Sequence, residues 1–232
     1  MNKTKFSIVI PVYNEAKNIG KLINEILFNL KDFDYELIIV NDGSIDKTSE
    51  IIQRQKVEKI ELINFEKNHG QSYSIYEGIR HSKNNTIVTL DGDLQNDPSD
   101  IINLLDIYFN DNEIKLISGI RKNRKDNALK IISSRIANFI RSLLLKDNCP
   151  DTGCSLKVFE RSIFLKIIYF NGIHRFIPTF FENMGFKVLY IDVNHRKRVA
   201  GRSNYGTIDR LIRGIIDLYK VKKILLDMNK ND

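Results

Sequence analysis

The chain has 232 residues, of which 42% are hydrophobic and 28% charged, and its 36 basic and 29 acidic side chains give a net charge of +7. A chain of this kind can bury a sizeable core, which excludes long-range disorder, a collagen-like repeat and a coiled coil. Cys149 and Cys154 are too few for a disulfide framework, and their spacing is not that of a C-x-x-C pair, so we expect reduced cytosolic thiols. Neither a secretory leader nor a helical membrane span is predicted.

Short β-branched runs alternate with longer helical patterns along the first half of the chain. The predicted strands are Phe6–Val12, Glu36–Val40, Ile60–Asn64, Thr86–Leu90 and Leu116–Gly119. The predicted helices are Lys17–Leu30, Ser44–Gln55 with Ser44 as its N-cap, Gln71–His81 and Pro98–Phe109. This alternation predicts an α/β fold with a largely parallel sheet covered by helices on both faces.

Two later segments, Asn127–Leu145 and Thr207–Leu226, have the pattern of basic amphipathic helices. Such helices can lie in a membrane interface, and they can equally face a core with a solvated back. For the second segment we expect contact with a membrane or a partner. We therefore divide the chain into a catalytic domain of residues 1–206 and a C-terminal amphipathic helix and tail of residues 207–232.

The basic surplus lies in the second half of the chain. Residues 1–120 carry 13 basic and 19 acidic side chains, whereas residues 121–232 carry 23 basic and 10 acidic ones. A surplus of this size attracts anions, which leaves nucleic acid, a phosphorylated substrate and a membrane surface as candidate partners.

Polar residues cluster directly after the predicted strands. The clusters are Pro11–Glu15, Asn41–Ser44, Lys67–Gly70 and Asp91–Gln95. Turn chemistry accounts for any one of them alone. Because ligands of a parallel sheet bind at the carboxyl ends of its strands, the four together predict a binding site, which Gly70–Ser72 and a loop at Phe176–Thr179 are expected to shape.

Asp91 and Asp93 are the strongest chemical signal. Residues two apart in an extended segment project to the same side, so that both carboxylates can face one point. A hard divalent cation removes their repulsion, and oxygen ligands favour Mg²⁺ or Mn²⁺ over zinc. Such an ion keeps positions for substrate phosphates, and Gly92 allows the backbone to approach a ligand closely. An Asp-Gly-Asp turn without a metal remains the alternative.

Four motifs occur in a fixed order along the chain. They are Ile10–Glu15, Val40–Asp46, Asn68–Gly70 and Leu90–Pro98. Over residues 5–205 they resemble glycosyltransferase family 2. Within that family, the segments Asp93–Pro98, Asp151–Lys157 and Arg198–Gly206 are similar to those of dolichyl- and polyprenyl-phosphate sugar synthases.

The resemblance implies a GT-A (Rossmann-like) fold and an inverting transfer from a GDP- or UDP-sugar. It places a set of residues around the nucleoside, with the Asp42 carboxylate accepting a hydrogen bond from the base. This set is Pro11, Tyr13, Glu15, Asp42, Gly43 and Gly70. It also places Asp91 near the sugar-nucleotide, with Asp93 and Gln95 joining it around the metal. Asp151 would approach the acceptor, although a turn or N-cap role is equally open, and His174 would precede a helix behind the site.

Three arginines are candidates for gripping the acceptor phosphate and the pyrophosphate: Arg121, Arg135 and Arg202. Arginine matches phosphate geometry in a bidentate fashion, although a solvated surface charge remains the alternative for each. A phosphate acceptor is ionised at neutral pH and needs no strong general base. The expected catalytic set is therefore Asp91, Asp93, Asp151, Arg121 and Arg202.

The resulting prediction is a metal-dependent transferase that moves a hexose to a polyprenyl or dolichyl phosphate at the cytoplasmic membrane face, with a membrane-anchoring protein as a further candidate partner. One alternative keeps the fold but uses a sugar hydroxyl as acceptor in polysaccharide synthesis, and Asp151 or another carboxylate would then be the base. A nucleic-acid-binding protein is disfavoured by the acidic first half and by the lack of a recognised module. A dinucleotide-binding dehydrogenase is disfavoured because G-x-G-x-x-G is missing.

Overall fold

The computed structural model describes residues 5–121, 141–197 and 207–228. Its strands are β1 (Phe6–Val12), β2 (Tyr35–Asn41), β3 (Ile60–Asn64), β4 (Thr86–Thr89), β5 (Ile114–Arg121), β6 (Lys157–Glu160) and β7 (Lys187–Val193). Its helices are α1 (Ile19–Asn29), α2 (Thr48–Gln53), α3 (Gln71–His81), α4 (Asp100–Asn110), α5 (Arg161–Phe164), α6 (Ile173–Asn183) and α7 (Thr207–Met228). The predicted α/β class is confirmed.

The strands form one sheet in the order β3-β2-β1-β4-β6-β5-β7. Among the described strands, β6 alone runs antiparallel to its two neighbours, β4 and β5. The sheet is therefore largely parallel, as predicted, and β1, β2 and β4 end at the same edge. The loops that follow these three strands are thereby brought together.

Helices cover both faces of the sheet, so that alternate residues of its central strands are buried on opposite sides. In β1, Ile8 and Ile10 join a core cluster with residues of α1 and α4, whereas Val9 joins a second cluster with residues of α3, α6 and α7. Burial on both sides explains why the strands read as nearly continuous apolar runs.

Helix α3 packs unusually close to the sheet at Gly78. A Cβ atom added there would lie 2.5 Å from Val9 Cγ1 and 3.0 Å from Val40 Cγ2. We expect Gly78→Ala to lower the free energy of unfolding by about 1–3 kcal/mol, as measured by urea denaturation. The control is Gly214→Ala in α7, where an added Cβ has nothing within 4 Å among the side chains that the structure describes. That variant is expected to be unchanged or up to about 1 kcal/mol more stable.

The predicted start of α2 at Ser44 is wrong. The helix begins at Thr48, whose backbone N–H donates a hydrogen bond to Asp46 Oδ1 at 3.0 Å. The Ser44 hydroxyl instead accepts a hydrogen bond from the backbone N–H of Asn14 at 2.9 Å. Ser44 thus ties the loop after β2 to the loop after β1.

The described part of α7 packs against the second core cluster through Val221 and Leu225, which are buried. Its exposed apolar side chains are Ile216, Tyr219 and Leu226. Within residues 5–121, 141–197 and 207–228, no helix has both the length and the apolar character needed to cross a bilayer. The division of the chain at residue 206 stays a prediction.

Of the predicted helix Asn127–Leu145, only residues 141–145 are described, and they are helical. In the predicted amphipathic helix the basic side chains would lie on the polar face, but the Arg141 side chain is buried and forms an ion pair of 3.1 Å with the buried Asp147. The Arg141 guanidinium also donates a hydrogen bond to the carbonyl oxygen of Cys149. Arg141 and Leu145 therefore face the protein interior, whereas Leu143 and Leu144 are exposed.

Candidate functional site

An open cleft of about 610 Å³, which we call the rim cleft, lies at the carboxyl ends of β1, β2 and β4. It is lined by Pro11, Val12, Tyr13, Glu15, Asp42, Asn68, Gly70, Gln71, Ser74, Asp91, Gly92 and Asp93. The cleft thus brings together residues of the four strand-end clusters that the sequence singles out.

The residues predicted to surround a nucleoside lie in the rim cleft, with the exception of Gly43. Gly43 has a φ of 70°, and an added Cβ would lie 2.5 Å from the carbonyl carbon of Lys67. Its observed part is therefore to let the loop after β2 pass close to the loop after β3.

Asp42 organises the loop before α3. Its Oδ1 accepts a hydrogen bond from the backbone N–H of His69 at 2.7 Å, and its Oδ2 accepts one from that of Gly70 at 2.8 Å. A carboxylate has further lone pairs, so these bonds are compatible with the predicted hydrogen bond from a base. That contact stays a prediction.

Asp91 and Asp93 lie at the end of the rim cleft that follows β4. Burial and the nearby charge of Asp93 raise the pKa of Asp91 to about 6, although Ser155, Lys157 and Arg121 act in the opposite direction. The side-chain amide of Gln71 donates a hydrogen bond to Asp91 Oδ1 at 2.7 Å. The Asp91 carboxylate is therefore still mostly ionised at neutral pH, but its charge is less well stabilised here than in water.

This pKa gives a prediction about stability. Folding raises the pKa of Asp91 from 3.8 to about 6, so the ionised carboxylate destabilises the metal-free protein above pH 6. Asp91→Asn should raise the free energy of unfolding by roughly 1–3 kcal/mol at pH 7.5, and the gain should shrink as the pH falls through 6 towards 4. Urea denaturation in EDTA at pH 7.5 and at pH 4 measures the two free energies of unfolding. The exposed control Asp106→Asn should show no such pH dependence, and a loss of stability in Asp91→Asn at pH 7.5 would contradict the burial argument.

The backbone around this pair is constrained. Leu94 is buried and has a φ of 63°, a left-handed conformation that costs a branched residue about 1–2 kcal/mol. Asp93 Oδ1 accepts a hydrogen bond from the backbone N–H of Gln95 at 3.1 Å. Gly92 packs against β1, where an added Cβ would lie 2.6 Å from Val12 Cγ1. Contact with Val12 is thus sufficient reason for a glycine at this position.

Gln95 is held by the segment that follows β7. Its side-chain nitrogen lies 3.3 Å from His195 Nε2 and donates to the carbonyl oxygen of Arg196 at 3.4 Å. Arg196 also pairs with Asp97 at 2.8 Å and with Glu25 of α1 at 2.6 Å. These contacts fix the loop that carries the predicted metal ligands. The sequence gives no signal for His195 or Arg196, because both act through residues far away along the chain.

The predicted ligands suit a hard divalent cation. Asp91 and Asp93 both line the rim cleft, and a cation would reduce the repulsion that contributes to the raised pKa of Asp91. In Gln95 the amide oxygen is the atom able to ligate, because an amide nitrogen only donates hydrogen bonds, but Gln95 is not among the residues that line the rim cleft. No group of three or more Asp, Glu, His or Cys side chains suited to a metal occurs in the described part of the chain. Two carboxylates agree with Mg²⁺, which commonly takes its other ligands from water and substrate phosphates.

Arg121 and Asp151 form a bidentate ion pair. The Nε and Nη2 atoms of Arg121 each donate a hydrogen bond of 2.7 Å to the Asp151 carboxylate, and Gly153 N–H donates another at 3.2 Å. Burial alone would lower the pKa of Arg121, but the hydrogen bonds and charge of Asp151 raise it above its usual value. A Cβ added at Gly153 would lie 2.4 Å from Arg121 Nη2, so the glycine makes room for this pair.

Of the other predicted phosphate-binding residues, Arg135 and Arg202 lie outside the described residues. His174 lies in the first turn of α6 rather than before a helix, and its Nδ1 is 2.7 Å from Ser72 Oγ. Burial, with the charges of Arg175 and Lys157, lowers the pKa of His174 to about 3, so the ring is neutral. The predicted loop at Phe176–Thr179 is wrong, because these residues are buried within α6.

Comparison with known proteins gives a consistent result. The family model described as "Glycosyl transferase family 2" matches residues 7–168. A dodecaprenyl-phosphate galacturonate synthase of Rhizobium johnstonii is 34% identical, over 94% of this chain and 66% of that protein. An undecaprenyl-phosphate 4-deoxy-4-formamido-L-arabinose transferase of Photorhabdus laumondii is 32% identical, over 92% of this chain and 66% of that protein. The chain thus spans just under two thirds of the length of these relatives.

Solved structures share the fold. Mannosyl-3-phosphoglycerate synthase from Rubrobacter xylanophilus matches with a TM-score of 0.74 and 14% identity, over 98% of this chain and 75% of that one. Glucosyl-3-phosphoglycerate synthase from Mycobacterium tuberculosis, in complex with Mn²⁺, UDP and phosphoglyceric acid, matches with a TM-score of 0.70 and 18% identity, over 93% and 78%. The expected GT-A fold is confirmed.

Proposed function

Because the chain belongs to glycosyl transferase family 2, we propose that it transfers a glycosyl residue, with inversion, from a nucleoside diphosphate sugar to a polyprenyl phosphate. The observation that carries the proposal is the position of Asp91 and Asp93 at one end of a cleft formed by the loops after β1, β2 and β3. The printed names of the two relatives support the lipid-phosphate acceptor, since each contains a polyprenyl phosphate.

Asp91, Asp93 and the amide oxygen of Gln95 are the residues that would hold Mg²⁺ or Mn²⁺. When bound, such an ion supplies positive charge for the diphosphate that leaves the sugar. The chain's own part is to hold these oxygens in place: the contacts of Gln95 with His195 and Arg196 fix the loop before any ligand arrives. Pro11, Tyr13, Glu15, Asp42 and Gly70 would surround the nucleoside.

The state of Asp151 favours a phosphate acceptor over a sugar hydroxyl. A hydroxyl acceptor needs a base, whereas both oxygens of Asp151 accept hydrogen bonds from Arg121 or Gly153. A carboxylate held in this way is a poor base, because taking a proton would break its ion pair. An ionised phosphate needs no such group. Arg121, Arg135 and Arg202 remain the proposed contacts of the acceptor phosphate.

We place the enzyme at the cytoplasmic face of a membrane, as a peripheral protein. The acceptor is a membrane lipid, and the second half of the chain carries 23 basic and 10 acidic side chains, which favours an anionic surface. Exposed Ile216, Tyr219 and Leu226 on α7 lie among the exposed lysines Lys222 and Lys223, a composition that suits a lipid interface. A membrane-anchoring protein remains a proposed partner.

The test is transfer of labelled sugar into a lipid. Purified protein, Mn²⁺ and undecaprenyl phosphate in detergent are incubated with labelled UDP-glucose, UDP-galacturonate or GDP-mannose, and the products are extracted into organic solvent. We expect EDTA-sensitive label in the organic phase, released by mild acid as expected of a glycosyl phosphodiester. Label that enters only water-soluble oligosaccharide would contradict the proposal and favour the hydroxyl-acceptor alternative. The donor panel also tests the predicted hexose and the choice between GDP and UDP.

A further inference from the structure

A second opening, which we call the α7 groove, lies between the first turns of α3 and α6 and one side of α7. Its volume is about 610 Å³, and Gln71, Gly172, Arg175, Asp217 and Lys220 are among the residues that line it. Gln71 also lines the rim cleft, and its amide donates the 2.7 Å hydrogen bond to Asp91. Gly70 and Gln71 line both openings, so the α7 groove adjoins the rim cleft at the residue that holds Asp91, although Asp91 itself lines only the rim cleft of the two.

An ion pair between Arg175 of α6 and Asp217 of α7 crosses the groove. The Arg175 side chain is 34% exposed and that of Asp217 is 8% exposed. Gly172 allows the approach, since its φ is 115° and an added Cβ would lie 2.9 Å from Asp217 Oδ2. The Nε atom of Arg175 is buried and has no hydrogen-bond partner among the described residues. Arg175 thus lines the groove and has one buried N–H donor that no described residue satisfies.

The groove favours an anion once the Asp217 carboxylate is displaced. Among the described residues that line it, Asp217 is the sole carboxylate, whereas Arg175 and Lys220 are cationic. Helices α3 and α6 both begin at the groove, and neither has an acidic residue in its first turn. Their N-termini add a partial positive charge to that of the two side chains.

We propose that the α7 groove binds the phosphate monoester of the acceptor on entry, separately from the contacts proposed for Arg121, Arg135 and Arg202 at the point of transfer, and that Asp217 occupies Arg175 until this phosphate replaces it. The inference rests on the proposed function, which requires a second ligand beside Asp91. A phosphate accepts two parallel hydrogen bonds from a guanidinium, as a carboxylate does, but carries more charge. Ile216 lines the groove and is 47% exposed, and Tyr219 on the same helix is 74% exposed, so both offer apolar contact for a lipid tail.

The decisive variants change one side of the ion pair at a time. Binding of farnesyl phosphate, a soluble prenyl phosphate, is measured by calorimetry on the full chain. We expect Arg175→Gln to weaken binding about tenfold or more, and Asp217→Asn to strengthen it severalfold because the competing carboxylate is gone. The affinity for UDP with Mn²⁺ should stay within about twofold in both variants. If Asp217→Asn weakens farnesyl phosphate binding as Arg175→Gln does, the pair is a structural latch and the proposal is overturned.

Two exposed lysines of α7 provide a test that does not depend on the ion pair. Lys220 lines the groove, whereas Lys223 is exposed on the same helix and does not line it. Lys220→Gln should weaken farnesyl phosphate binding about threefold, and the matched Lys223→Gln should leave it unchanged. Equal affinities in the two variants would overturn the proposal even if Asp217→Asn does not fold.

A non-lipid phosphate monoester separates the two possible sources of the ligand. 3-Phosphoglycerate offers the same phosphate without an apolar tail, and we expect it to bind at least about tenfold more weakly than farnesyl phosphate. Tighter binding of 3-phosphoglycerate would overturn the assignment to a lipid. If farnesyl phosphate binding depends on Arg175 but the protein transfers no sugar, the proposed function is contradicted and the proposed phosphate site in the groove is supported. Transfer with an unchanged acceptor KM in Arg175→Gln would contradict the groove alone.

Discussion

Replacement of Asp93 by Asn is expected to abolish metal-dependent donor binding while leaving the fold intact. Asn has the shape of Asp, and its side-chain oxygen can still accept the 3.1 Å hydrogen bond from the Gln95 backbone. The change removes one of the two carboxylates that would hold a divalent cation. We expect the affinity for UDP in the presence of Mn²⁺ to fall by roughly 100-fold or more, equivalent to about 2.7 kcal/mol, and transfer to fall at least as far.

The measurement is calorimetric titration with UDP and with GDP, each with Mn²⁺ and with EDTA. Asp106→Asn is the matched control, since it removes the same charge from an exposed position on α4 and should bind the nucleotide as the unmodified chain does. Thermal unfolding should show Asp93→Asn to be at least as stable as the parent, because the repulsion on Asp91 is reduced. An unchanged Mn²⁺-dependent affinity would refute the metal assignment.

Local residue patterns predict the elements of the first half well, because these elements are settled by local burial. The bounds of β1, β3 and α3 coincide with the predicted ones. In a parallel sheet covered on both faces, each strand is a short apolar run and each helix shows one apolar stripe. The rim cleft follows from topology alone, since parallel strands end at a common edge and their loops meet there.

The second half is less predictable because its contacts are distant along the chain. Strand β6 has only four residues, contains the buried cation Lys157 and inserts antiparallel between β4 and β5. No local residue pattern predicts such an insertion. Pro178 argues against a helix at Phe176–Thr179, yet packing of Phe180 and Phe181 in the second core cluster holds α6 together around it.

The same reasoning applies to the site. Composition and spacing identify Asp91, Asp93 and the loop residues, because their chemistry is visible in the sequence. They do not reveal that Arg121 forms an ion pair with Asp151, or that the carbonyl oxygen of Arg196 accepts a hydrogen bond from Gln95. Partners of this kind are brought together by the fold, and a charge that looks available in a sequence can be neutralised in the structure.

The buried pair of Arg121 and Asp151 gives the second large prediction. Their side chains are only 15% and 7% exposed, so removal of one partner leaves a charge in a poorly solvated place. We expect Arg121→Ala to lower the free energy of unfolding by about 3–5 kcal/mol. The control is Lys187→Ala, which breaks the exposed ion pairs of 2.9 Å with Asp111 and 3.3 Å with Glu113. Its effect on the free energy of unfolding should be far smaller than that of Arg121→Ala, and a similar cost for both variants would contradict the burial argument.

A double replacement separates the stability role of this pair from its proposed role in transfer. Arg121→Met with Asp151→Leu removes both charges and keeps apolar volume, so the free energy of unfolding should return to within about 1–2 kcal/mol of the parent. Transfer to polyprenyl phosphate should nevertheless remain at least about tenfold reduced if Arg121 contacts the acceptor phosphate, because no guanidinium is left to bind it. Urea denaturation and the organic-extraction assay on the same preparation measure both quantities. Recovery of stability together with full transfer would show that the pair has only a structural role. Arg121 would then no longer be a proposed contact of the acceptor phosphate.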